Sequence, residues 1–114
     1  MGLVYKICSR AEWREAEAKG VYAGSAADRE DGFIHFSAPH QLRETAARHF
    51  AGRSDLLLVA YEAERFGERL KWEPSRGGDL FPHVHGTLTP SAALWMKPLL
   101  LSPDGHVFPQ DAAK

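Results

Sequence analysis

Apolar runs of strand length recur along this chain from end to end, while helical periodicity is confined to two stretches in its first half. Leu3 to Cys8, Phe33 to Phe36, Leu56 to Glu62, Leu70 to Glu73, Phe81 to Leu88, Leu94 to Leu101 and His106 to Phe108 each read as strand. The first helix opens on Ser9-Arg10-Ala11-Glu12, a capping box, and ends at Gly20, with Trp13, Ala16 and Gly20 on one face. The second opens on Ser37-Ala38-Pro39, with proline in its first turn, and runs to Gly52 with Leu42, Ala46, Ala47 and Phe50 inward. This pattern predicts an α+β fold, a mostly antiparallel sheet with two main helices.

The connections follow from turn chemistry. Val21 to Ser25 is expected as a further short strand, and Ala27 to Gly32 and Pro74 to Asp79 as loops. A short turn or helical piece is expected at Ala63 to Gly67, a single helical turn at Thr89 to Ala93, and a tight turn at Ser102-Pro103-Asp104-Gly105. Pro98 argues for an edge or a bulge. Pro82 cannot donate to a ladder, so it is expected at the start of its strand or on an edge.

Composition narrows the function classes. At 114 residues, 44% hydrophobic and 25% charged, the chain is expected to form a single domain, residues 1–114, around one core. With 14 Lys and Arg against 15 Asp and Glu, no whole-domain field draws nucleic acid or an anionic membrane, and a small ligand is the expected partner. The oligomeric state stays open. Cys8 is the only cysteine, which excludes an internal disulfide and suits a reducing, cytoplasmic address. The N-terminal apolar run is broken by Lys6, and is too short for a membrane span or a signal-peptide core.

Strand alternation puts Phe33, His35 and Ser37 on one face, and Phe81, His83, His85 and Thr87 on one side of a later strand. A strand histidine is commonly a core group bonded to a carbonyl. Against that reading, Ser37 ends its strand where a helix begins, and a pocket at that junction offers exposed amides to a ligand. His83 and His85 are spaced for a metal, but a catalytic zinc needs a third protein ligand, for which only His35 or Glu73 is available by convergence of strands. No helix carries a His-x-x-x-His pair, so no metal is expected and His83 reads as a neutral hydrogen-bonding group in a cleft. In "WEPSRGGD", Arg76 offers a fork of donors for phosphate or carboxylate, and Gly77-Gly78 lets backbone approach a ligand. The alternative is a surface loop with an Arg-Asp ion pair. Glu73 falls on the opposite face from Trp72, and Trp72 is expected toward the core. Cys8 reads as a small buried hydrophobe rather than a nucleophile. Arg43, Arg48, His49 and Arg53, diluted by Glu44 and Asp55, read as a solvated helix face.

The order of "DGFIHFS", "TAARHF", "KWEPSRGG" and "FPHVHG" resembles the domain of unknown function 952 family over nearly the whole chain. His35, Glu73, Arg76 and His83 match its motifs, while Ala38 and His85 stand where the motifs have Thr and Tyr. That family is similar in fold to ADP-ribosyltransferases and tRNA 2′-phosphotransferases, which hold NAD or an ADP-ribosylated intermediate between the halves of a split sheet. The resemblance therefore implies an ADP-ribosyltransferase-like split sheet with a nucleotide site. In that site His35 would pack against nicotinamide or its ribose. Ser37, Arg76, Gly77 and Gly78 would hold the ligand, and His35, Glu73 and His83 are the catalytic candidates. NAD is implied as a substrate and no resident cofactor is expected. Where such transferases carry His or Arg on the first strand, this chain has Tyr5-Lys6, and its late strand has His83 with no acid beside it. Either Glu73 supplies the carboxylate from the preceding strand, or the protein is a non-catalytic module for a nucleotide or small metabolite. A third reading takes His35-Phe36-Ser37 and His85-Gly86-Thr87 as the paired His-x-Ser/Thr motifs of a 2H-type phosphoesterase, whose fold is usually longer and duplicated.

Overall fold

A computed structural model of the chain describes residues 2–109 and 112, apart from the side chain of Arg76. Two antiparallel sheets carry the fold. In the first, β1 (Leu3–Ser9) pairs with β3 (Leu56–Glu62), β3 with β6 (Trp95–Ser102), and β6 with β7 (Gly105–Val107), giving the order β1-β3-β6-β7. In the second, β5 (Leu80–Val84) lies between β2 (Ile34–His35) and β4 (Leu70–Pro74). The α-helices are α1 (Arg10–Lys19), α2 (Ala26–Asp31) and α3 (Leu42–His49). The α+β class and the curled antiparallel arrangement thus agree with the sequence pattern.

The apolar runs of β1 and β3 are nearly continuous because that half of the first sheet is covered on both faces, whereas Met96, Leu100 and Leu101 of β6 are exposed. Val4, Cys8, Val59 and Tyr61 point toward the second sheet and pack with Ile34, Phe36, Val84 and Trp13. Tyr5, Ile7, Leu58, Ala60 and Leu99 point the other way, under Leu42 and Ala46 of α3. Lys6 falls between Val4 and Cys8 on β1 and is buried on the inward face. A charged group there requires a partner.

Capping chemistry sets the first helix. Ser9 Oγ accepts from Glu12 N at 3.1 Å while Glu12 Oε1 faces Ser9 N at 3.4 Å, and Gly20 closes the helix. The same device builds α2, which occupies most of a segment expected as loop. Ser25 Oγ accepts from Asp28 N at 3.2 Å, and Asp28 Oδ2 accepts from Ser25 N at 3.0 Å. Helical periodicity gave no warning of α2 because its one buried residue is an aspartate. Of Val21 to Ser25, only Tyr22 makes a bridge, to Leu88. The second predicted helix begins as one 3₁₀ turn, Pro39–Gln41, before α3, and Ala47 is exposed rather than inward.

Two prolines mark the sheet boundaries. Pro98 lies in the half of β6 that β7 does not reach, an edge position as expected. Pro82 departs from expectation, since it sits inside β5, the central strand of its sheet. Its carbonyl accepts from Phe36 N at 3.0 Å, but the return donor is missing. The β2 ladder ends there. Ser37 instead exchanges both backbone bonds with Tyr5 of β1, Ser37 N to Tyr5 O at 2.8 Å and Tyr5 N to Ser37 O at 2.9 Å. Proline is tolerated in this central strand because its neighbour is leaving for the other sheet. Trp72 also departs from expectation: on edge strand β4 it is 47% exposed, with Glu73 on the opposite face.

Gly24 ties α2 to this frame. Its φ is +105°, and a Cβ there would stand 2.8 Å from Asp28 Cβ. Gly24→Ala should destabilise the fold by about 1–3 kcal/mol through strain and displacement of Asp28, read as a lowered midpoint in urea unfolding. An unchanged midpoint would contradict this packing.

Candidate functional site

Where β2 leaves β5 for β1, a cleft of about 680 Å³ opens, a volume usual for small-ligand sites. Its wall takes Lys6 from β1, Asp28 from α2, His35 and Ser37 from the crossing segment, and Phe81 and His83 from β5.

Asp28 organises one side. Its Oδ2 accepts from Lys6 Nζ at 2.7 Å, and its Oδ1 accepts from His35 N at 3.1 Å and lies 2.6 Å from His35 Nδ1. The side chains of Asp28 and Lys6 are only 2% and 6% exposed. Burial pushes the Asp28 carboxyl up, but the His35 hydrogen bond and the Lys6 charge outweigh it and hold the group well below the usual carboxylate range. His35 Nε2 lies 2.9 Å from Asp31 Oδ2, so the imidazole is clamped between two carboxylates, with its side chain 35% exposed at the wall.

Glu73 holds His83 from behind the wall, and neither it nor His85 or Phe33 lines the cleft. Its Oε1 receives His83 Nδ1 at 2.8 Å and His85 Nε2 at 2.9 Å. These bonds, that of His85 foremost, lower the Glu73 carboxyl. Phe33 joins the ring cluster, stacked on His83 with centroids 4.0 Å apart, and the His35 ring stands edge-on to His83 at 5.4 Å. His83 is 3% exposed, and its Nε2 is buried without a hydrogen-bond partner. Two other buried polar atoms without partners among the described residues, Trp13 Nε1 and Tyr22 Oη, belong to residues of the apolar core rather than the cleft wall. Burial lowers His83 below the ordinary histidine value, outweighing the Glu73 bond.

The structure therefore brings His35, Glu73 and His83 together, with Ser37 on the same wall, where its hydroxyl meets Thr45 Oγ1 at 2.9 Å. Gly77 and Gly78 lie in an exposed 3₁₀ turn and do not line the cleft, although Ser75 beside them does. The Arg76 side chain lies outside the described residues. Among the described residues no group of three or more His, Cys, Asp or Glu is arranged to hold a metal ion. Cys8 is buried, and its thiol is pushed up to about 12, the inert form expected of a core cysteine. Sequence reasoning missed Asp28 and Asp31 as partners of His35, and Asp28 as the partner of Lys6. Ser25-Ala26-Ala27-Asp28 repeats the Ser-x-x-acid signature seen at Ser9, and that signal was available.

Comparison with known proteins gives the chain a family. The model of the family described as protein of unknown function (DUF952) matches residues 7–96, and the chain belongs to it. Protein CC0527 of Caulobacter crescentus, solved by X-ray crystallography, is 53% identical, with 91% of each chain covered and a TM-score of 0.87. The solution NMR structure of the same protein is likewise 53% identical, with 93% of this chain and 91% of that one covered and a TM-score of 0.84. Among curated proteins nothing matches.

Removing Asp28 while Lys6 stays leaves a buried cation unpaired, so Asp28→Asn should cost about 3–5 kcal/mol. Adding Lys6→Met should recover part of that loss, read as coupling in a double-mutant cycle of urea unfolding. Equal losses in single and double mutants would contradict the pair. The pH dependence has a definite sign. Asp28 is depressed below its ordinary value of 3.8, so its stabilisation is complete above 3.8 and lost as pH falls through the lower folded value. His83 is depressed below 6.5, so stability also falls as pH drops below about 6.5, where the unfolded chain takes up that proton first. Stability measured from pH 8 to 3 should decline toward acid, and His83→Gln should remove the upper part of the decline.

Proposed function

We propose that the cleft binds a nucleotide of the NAD or ADP-ribose type, and that the protein is an ADP-ribosyltransferase-like transferase or hydrolase. The observation that carries this reading is the position of the cleft at the split between two antiparallel sheets, beside the Tyr5-Ser37 bridge, with His35 fixed in its wall. Ring and ribose would pack on His35, whose imidazole combines an apolar face with a polar edge and has Phe33 at 4.8 Å. Ser37 offers a hydroxyl nearby. Ser75 reaches the cleft wall, and the loop it opens, Arg76, Gly77 and Gly78, with the two glycines beyond the wall itself, would supply donors to a phosphate extending past the mouth. His83 would provide the polar group for chemistry at the sugar, with the Glu73 carboxylate bonded to its other ring nitrogen.

A second reading, a non-catalytic module for a nucleotide or small metabolite, is favoured by one observation. Glu73 Oε1 is already bonded by two imidazoles, which reduces the carboxylate's freedom to stabilise a cationic sugar.

Calorimetry with NAD and ADP-ribose, together with assay of nicotinamide release, separates these readings. Binding with release is expected for the enzyme, and binding without release selects the module. His35→Ala should weaken ADP-ribose binding about tenfold, roughly the 1.4 kcal/mol expected from a lost ring contact with its hydrogen bonding. If neither nucleotide binds, the reading falls.

A further inference from the structure

His83 is the cleft-wall side chain, among the described residues, whose buried ring nitrogen has no partner. Its other nitrogen, Nδ1, lies 2.8 Å from Glu73 Oε1, which also faces His85 Nε2 at 2.9 Å. A carboxylate held in its ionised form by two ring nitrogens is acceptor only, so both nitrogens donate to it. The ring proton of His83 therefore sits on Nδ1, and Nε2 keeps its lone pair. Phe33 stacks on one face of the ring. The titratable or charged neighbours are Glu73 and the cross-strand Lys71 from β4, His35 from β2, and His85 just beyond β5. His35 is itself engaged at both nitrogens by Asp28 and Asp31, so of these two facing imidazoles it is His83 whose ring has a nitrogen without a partner.

We propose that His83 is the general base of the cleft, taking its proton from a hydroxyl acceptor, either a substrate alcohol or water, with Glu73 as the residue that positions it. This rests on the nucleotide reading above. In the step, the acceptor oxygen bonds to ribose C1′ of an NAD-type nucleotide as the bond from that carbon to the nicotinamide nitrogen breaks. The bonding pair leaves with nicotinamide, which becomes neutral, and the acceptor proton passes to His83 Nε2. The imidazolium so formed lies against the Glu73 carboxylate and then returns its proton to solvent. The acceptor class follows from the chemistry. A hydroxyl gains from a base, whereas a carboxylate already ionised at neutral pH gains nothing.

The test has two arms. Long-range proton-nitrogen correlations on ¹⁵N-labelled wild-type protein at pH 7.5 should show His83 with its proton on Nδ1 and Nε2 bare. In nicotinamide release, His83→Gln should lower kcat by about 10²–10⁴-fold, the range for a lost general base, while ADP-ribose affinity stays within about threefold. Glu73→Gln should lower kcat less and displace the acid limb of the pH profile, a readout that a purely structural role would leave in place. A proton on Nε2, or wild-type kcat in a folded His83→Gln variant, overturns the base. The two failures separate, because the ring proton is read without any ligand. Absence of ADP-ribose binding with the proton on Nδ1 overturns the nucleotide reading, and the transfer step falls with it.

Discussion

A single buried carboxylate, Asp28, reinforces a junction between parts of the molecule that backbone hydrogen bonding links through the Tyr5-Ser37 pair. It reaches Lys6 on the four-stranded sheet and His35 on the three-stranded one, while its own helix is started by the reciprocal bonds it makes with Ser25. An ammonium in the interior of β1 is costly in isolation, and so is a carboxylate beneath α2; together, and with the His35 amide and ring as further donors, each satisfies the other. The cleft depends on this arrangement because Asp28 and Asp31 together fix the orientation of His35. Gly24 makes room for it where a side chain would collide with Asp28.

The site has two halves built on the same chemical theme. In each, a carboxylate fixes an imidazole, Asp28 and Asp31 for His35, Glu73 for His83 and His85. The outcomes differ because the hydrogen bonding differs. His35 has a carboxylate at each nitrogen and is suited to holding position. His83 has one at Nδ1 and none at Nε2, in a setting where burial disfavours its cation. A pair of histidines 5.4 Å apart thus acquires distinct characters from their neighbours rather than from their own chemistry.

Much of this was legible in the sequence. The strict alternation of Phe33-His35-Ser37 and Phe81-His83-His85 sufficed to put the imidazoles on one face, because strand geometry fixes the side of every second residue. The capping box at Ser9 likewise gave α1 directly. What stayed hidden was set by tertiary contact. Alternation placed Trp72 and Glu73 on opposite faces but could not say which face the fold covers, and on edge strand β4 it is Trp72 that remains exposed. Asp28 looked like loop because a buried charge has no hydrophobic signature. The missing donor of Pro82 argues for the start of a strand or an edge, and the central strand escapes that rule because β2 departs at that residue.

That departure leaves a narrow seam. Through the crossing segment, β1 is joined to the second sheet by the reciprocal pair of backbone bonds between Tyr5 and Ser37 rather than by a long ladder. Parting the two walls there would break two main-chain bonds and the Asp28 contacts and would open the core shared by Val4, Cys8, Val59 and Tyr61 with Ile34, Phe36 and Val84. The cavity thus lies where main-chain bonding between the sheets is sparse and packed side chains hold its walls.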